Sequence, residues 1–87
     1  MKATWRILLK MAMKDKAEDL DQIISIAPKD LDLDRKFDDG YGGSEGKPFT
    51  IWTHNRVYFP VVYDGAEWVD SVPRNPRGEI TKHCGGQ

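Results

Sequence analysis

The sequence predicts an α+β domain, an N-terminal helix packed on a three-stranded antiparallel β-meander. Three observations carry this. Apolar residues recur at spacings of three and four over the first third of the chain, and a stretch rich in Asp and Gly interrupts the middle. Two hairpin dipeptides, His54-Asn55 and Asp64-Gly65, then divide a run of β-branched and aromatic residues. A chain of 87 residues fits one domain with one small core.

Trp5, Leu8, Leu9 and Ala12, followed by Met13, Ala17, Leu20, Ile24 and Ala27, fall on one side of a helix and predict a nearly continuous helix over residues 3–27. Pro28 ends it. Ile7 and Met11 blur its polar side. Residues 29–47 read as an acidic, glycine-rich loop, because "DDGYGGSEGKP" holds too many glycines for regular structure. Within it, "DLDLD" alternates leucine with carboxylate, as a short edge strand would, or an extended segment whose leucines tuck under the helix.

The meander is expected over residues 49–72, with strands at 49–53, 56–63 and 66–72, and residues 73–87 form an irregular tail. Asp64-Gly65 suits a type I′ turn, which needs positive φ at both central positions; His54-Asn55 is the weaker turn signal. Counting outward from two-residue turns pairs Trp52 with Val57 and Val61 with Trp68. One face then carries Trp52, Val57, Phe59, Val61, Tyr63, Ala66, Trp68 and Val72 and is expected to be the core. The other carries Phe49, Ile51, Tyr58, Pro60, Val62 and Val69, with Arg56, Glu67 and Ser71 among them. A single helix covers only one face, so this second face is expected to be an uncovered apolar surface. Pro60 falls in the central strand, where it cannot donate to the ladder, and a bulge at Phe59-Pro60 is expected to absorb it.

The net charge of −1 conceals a polarity: Lys2, Arg6, Lys10, Lys14 and Lys16 face Asp15 alone in the first sixteen residues, and five Asp crowd residues 30–39. A uniform basic field for nucleic acid is therefore absent. No apolar run of about twenty residues is present to span a bilayer. Lys10 interrupts "ILLKMAM" and no small-x-small site follows, so the start does not read as a secretion signal. Cys84 is the sole cysteine, which excludes an internal disulfide and fits a reducing cytoplasm.

Motifs for catalysis or metal binding fail one by one. Residues 30–41 place carboxylates at the first, third and fifth positions of a calcium loop, but Arg35 stands where the turn needs Gly, and Tyr41 where a bidentate Glu is needed. His54, His83 and Cys84 fall short of the four ligands of structural zinc. Gly40, Gly42, Gly43 and Gly46 lead into "GKP", where proline replaces the helix start of a phosphate loop. Trp52, Tyr58, Phe59 and Tyr63 with Arg56, Arg74 and Arg77 resemble an RNA-stacking sheet in composition only, since the strand motifs are missing. No metal, cofactor or enzymatic activity is expected.

The segment "PFTIWTHNRVYFPVVYDGAEWVDSVPRNP", residues 48–76, resembles small accessory proteins encoded by tailed phages and prophages of bacteria. That resemblance implies a non-enzymatic inhibitor acting in the host cytoplasm by contact with a host protein, as anti-CRISPR and antirestriction proteins do. The expected binding residues are Ile51, Arg56, Tyr58, Val62 and Val69 on the second sheet face, or Asp32, Asp34 and Asp38 in the acidic loop. The alternatives are a homodimeric structural or regulatory module that buries the same face against its copy, and a nucleic-acid-binding sheet.

Overall fold

A computed structural model of the chain describes residues 2–38, 46–63 and 66–83. Helix α1, Trp5–Asp15, begins at Thr4, whose hydroxyl accepts the Ile7 amide at 3.2 Å. Trp5, Leu8, Leu9 and Met13 form its buried stripe, while Ile7 and Met11 face solvent.

The helix stops twelve residues before the predicted end. Ala17 takes a left-handed conformation with φ of 58°, its amide bonds the Lys14 carbonyl at 3.1 Å and the Glu18 amide bonds the Met13 carbonyl at 2.8 Å. Those two bonds make a Schellman cap. A short 3₁₀ turn, Leu20–Gln22, follows, capped reciprocally by Asp19 and Gln22. The β-branched run beyond it extends as strand β2, Ser25–Ala27, instead of continuing the helix. Leucine and isoleucine at three-four spacing satisfied both periodicities there, and tertiary pairing decided.

Strands β4, Thr50–Trp52, β5, Arg56–Tyr63, and β6, Ala66–Pro73, join β2 in an antiparallel sheet of order β2-β4-β5-β6. The fold is α+β, with four strands in this sheet rather than three. A separate two-stranded ribbon pairs β1, Lys2–Ala3, with β3, Phe37–Asp38, inside what reads as loop from sequence. Leu31 and Leu33 do tuck against the core, and the Asp32 carboxylate bonds the Asp34 amide at 2.9 Å to turn the chain between them.

Both expected cross-strand pairs are present, Trp52 with Val57 and Val61 with Trp68. His54 and Asn55 form the β4–β5 turn, closed by the Thr53 amide on the Arg56 carbonyl at 3.0 Å. Asp64 and Gly65 lie outside the described residues; Tyr63 and Ala66 on either side of them pair in register.

The expected bulge at Phe59-Pro60 is absent, because the β5–β6 register runs unbroken from Arg56↔Pro73 to Tyr63↔Ala66. The bond from Thr53 to Arg56, and one from the Arg74 amide to the Asn55 carbonyl at 2.9 Å, fix the alternation: even-numbered residues of β5 direct backbone groups toward β4, odd ones toward β6. Pro60 therefore faces the β4 side. The β4–β5 ladder ends at Ile51↔Tyr58, so the missing donor meets no strand.

The two sheet faces are exchanged relative to expectation. Ile51 and Tyr58 are fully buried, Val69, Arg56, Glu67 and Ser71 are nearly so, and Phe49, Ile51, Tyr58 and Val69 join the α1 stripe in one cluster. Trp52, Val57, Phe59, Trp68 and Val72 lie half-buried on the opposite, outer face. Trp5 closes the core at its other end, with ring centroids 4.7 Å from Phe37 and 4.9 Å from Phe49 and its indole N–H on the Lys47 carbonyl at 3.0 Å. Gly46 passes against that indole so closely that a Cβ would lie 2.9 Å from its Cε2.

Candidate functional site: an open aromatic sheet face and a buried polar corner

The outer face is built by register. Ser25, Trp52, Val57 and Val72 form one row across all four strands; Phe59 opposite Asp70 and Val61 opposite Trp68 extend it along the longer strands. Val61 is buried, while Tyr63 is 47% exposed. Asp70 is the one charged residue among these positions. Helix α1 and the β1–β3 ribbon contribute to the core on the other side, so among the described residues no helix or strand covers this face.

The inner face ends in a polar corner where α1 meets the β4–β5 turn. Left-handed Ala17 directs Glu18 into it, and the Glu18 carboxylate accepts bonds from the Tyr58 hydroxyl at 2.7 Å, the Thr53 hydroxyl at 3.0 and 3.1 Å, and Asn55 Nδ2 at 3.3 Å. The Thr53 hydroxyl in turn accepts the amides of Asn55 and Arg56, at 3.2 and 2.9 Å. Burial first, then the bond to Glu18, pushes the Tyr58 phenol well above its ordinary value, with Arg56 pulling slightly the other way. A phenol held protonated against a donor-saturated carboxylate is poised as neither base nor nucleophile. Its chemistry is to lock the helix end onto the sheet.

Beside it, Arg56 is 4% exposed. Its Nε donates to Ser71 Oγ at 2.6 Å and its Nη2 to the Ser71 carbonyl at 3.2 Å, while Nη1 and Nη2 grip Glu79 Oε1 and Oε2 at 3.1 and 2.9 Å. The Arg56 bond and charge hold the Glu79 carboxyl below its usual value, with Lys16 and Arg77 adding to the effect. An open cavity of about 740 Å³ lies over this pair, lined by Lys16, Gln22, Asn55, Asn75 and Arg77 and by Asp15 and Glu18.

Of the binding residues expected from sequence, Ile51, Tyr58 and Val69 belong to the core and Arg56 to the polar corner; none offers an exposed surface. Val62, on the same face, is 39% exposed because it lies beyond the end of the β4 ladder. Asp34 is exposed but engages Arg6 in a two-point ion pair, Nε to Oδ1 at 2.8 Å and Nη2 to Oδ2 at 3.2 Å, which lowers the Asp34 pKa and raises that of Arg6. Asp32 shapes the loop. The side chain of Asp38 lies outside the described residues. Glu18, Thr53 and Glu79 escape sequence reading, since their partners stand 23 to 40 residues away. A faint signal existed in Arg56, a charge in phase with Tyr58 on an apolar strand.

Among the described residues, no group of three His, Cys, Asp or Glu side chains is placed to share a metal ion, and no helix is long and apolar enough to cross a membrane. Compared with known protein families, with curated proteins and with solved structures, the chain matches none.

Proposed function

We propose that this is a non-enzymatic binding domain whose working surface is the outer sheet face and whose partner is a foreign protein, consistent with the phage-type inhibitor implied by residues 48–76. One observation carries it: Trp52, Val57, Phe59, Trp68 and Val72 form a continuous half-exposed aromatic and aliphatic surface with Asp70 as its charge. Tryptophan and other aromatics are the side chains that most often concentrate interface energy. Nucleic acid would need cations here to meet phosphates, and the face supplies a carboxylate instead. The edge of β6 is a poor alternative, because Pro73 lacks an amide and the Ser71 amide is bound by the Asp70 carboxylate at 2.8 Å.

Affinity capture from bacterial lysate with the full chain, run beside Phe59→Asp and Met11→Asp, tests the surface. A partner retained by wild type and Met11→Asp but lost with Phe59→Asp at unchanged melting temperature supports it. Light scattering separates the homodimeric alternative: a dimer at tens of micromolar that Phe59→Asp dissolves would replace the foreign partner with a second copy.

A further inference from the structure

Arg56 presents an unusual division of labour. A buried guanidinium needs an anionic partner, since an unpaired charge in the interior is costly. In most cores that partner comes from another packed element. Here Ser71 satisfies one edge of the guanidinium, and the other edge, the two-pronged fork suited to a planar oxyanion, is filled by Glu79. Glu79 sits in residues 74–83, which are exposed along their length and belong to no helix or strand.

The surroundings favour a negative group at that point independently of Glu79. Lys16 and Arg77 line the same cavity as Arg56 and their charges help lower the Glu79 pKa, so without Glu79 the wall carries three cations against the two carboxylates of Asp15 and Glu18. Lys16 has only a loose contact of 3.9 Å with its neighbour Asp15. Glu18 lines the cavity too, but its oxygens are taken by Tyr58, Thr53 and Asn55. At about 740 Å³ the cavity is far larger than the carboxylate that now enters it, and Asn55, Asn75 and Gln22 add neutral hydrogen-bonding groups to its walls.

The geometry points to an oxyanion-binding site at Arg56, occupied in this state by the protein's own Glu79 as a tethered carboxylate, which a free carboxylate or phosphate group displaces. The site lies on the inner side of the sheet and is independent of the outer face. Tethering gives Glu79 a high effective concentration, so a free anion competes poorly until the tether is neutralised.

The test compares the full-length wild type with Glu79→Gln in thermal melts at constant ionic strength, replacing chloride stepwise with inorganic phosphate or with acetate. The expected result is a lower melting temperature for Glu79→Gln that either anion restores saturably, at concentrations about tenfold below any that shift the wild type. Adding Arg77→Ala to Glu79→Gln should weaken that restoration. If Glu79→Gln does not fold in chloride, recovery of the fold by phosphate or acetate is the same positive result. Recovery by phosphate alone assigns the site to phosphate groups, and recovery by acetate assigns it to carboxylates. An equal response of wild type and variant, or none to either anion, overturns the site and leaves Glu79 as a clamp for the tail.

Discussion

The two faces of the sheet reverse the usual relation between composition and burial. The outer face holds Trp52, Phe59, Val61, Trp68 and Val72 with one carboxylate, yet most of it is half open. The inner face holds Arg56, Glu67 and Ser71 beside Ile51, Tyr58 and Val69, receives Glu18 and Thr53 as well, and is the one the helix covers. The difference teaches that a face is buried when its polar groups can be satisfied there, whatever its apolar count. Among the described residues every buried side-chain nitrogen and oxygen has a partner: Glu18 has three donors, Arg56 has Ser71 and Glu79, and Glu67 accepts the Gly46 amide at 3.0 Å. Such a network fixes one docking of helix on sheet, whereas an all-apolar face would accept several.

The largest expected effect breaks or upholds this contrast directly. Tyr58→Ala removes a fully buried ring and a donor to Glu18 and should cost about 4 kcal/mol in urea denaturation. Trp68→Ala, half-buried on the outer face of the adjacent strand, should cost less, about 2 kcal/mol. The reverse order would return the helix to the outer face.

Much of the fold was legible because its signals are local. The His54-Asn55 turn, the Trp52↔Val57 and Val61↔Trp68 pairs and the Trp5–Met13 stripe all follow from spacing over a few residues. The choice of face was not local. It depends on whether Arg56 and Glu18 find partners, and those lie across 15 to 40 residues of sequence. Ile23, Ile24 and Ile26 posed a different difficulty, since their spacing fits a helix and their branching fits a strand, and the unpaired edge of β4 settled it. The aromatic residues of the outer face read as core from sequence, because hydrophobic pattern alone does not separate a covered sheet face from an open one.

The polar corner sets the next scale. Glu18→Gln puts an amide donor among the Tyr58, Thr53 and Asn55 donors and should cost about 2 kcal/mol by the same denaturation, with Trp52 and Trp68 fluorescence in the folded state unchanged. A neutral outcome would mean that water already fills the corner and that satisfaction of Glu18 does not choose the face.

Tyr58→Phe sharpens the contrast by pH. The folded-state pKa of Tyr58 is raised, so its contribution is fully present below the ordinary phenol value of about 10 and is lost as pH rises through the folded value. Tyr58→Phe should be less stable by about 1 kcal/mol at neutral pH, from the lost bond to Glu18. Above pH 10 the gap to wild type should narrow, because the variant lacks the group whose ionisation weakens the wild-type fold. A gap that stays constant through the alkaline limb would place the phenol in water.

The smallest effect concerns the residue that aims Glu18. Ala17 adopts φ of 58°, a conformation that costs an L-residue with a Cβ roughly 1 kcal/mol and costs glycine almost nothing. Its side chain faces the open cavity and packs into nothing buried, so removing the methyl forfeits little. Ala17→Gly also enlarges the freedom of the unfolded chain, which offsets part of the gain. The net expectation is a stabilisation of about 0.5 kcal/mol, read as a higher urea midpoint at unchanged slope. The sign is the informative part. A gain shows that the Schellman cap is strained locally and held in place by the bonds Glu18 makes beyond it, to Tyr58, Thr53 and Asn55. A loss of similar size would show the opposite dependence: the stiffness of Ala17 positions Glu18, and the inner face is buried because the helix end leaves its carboxylate no other direction.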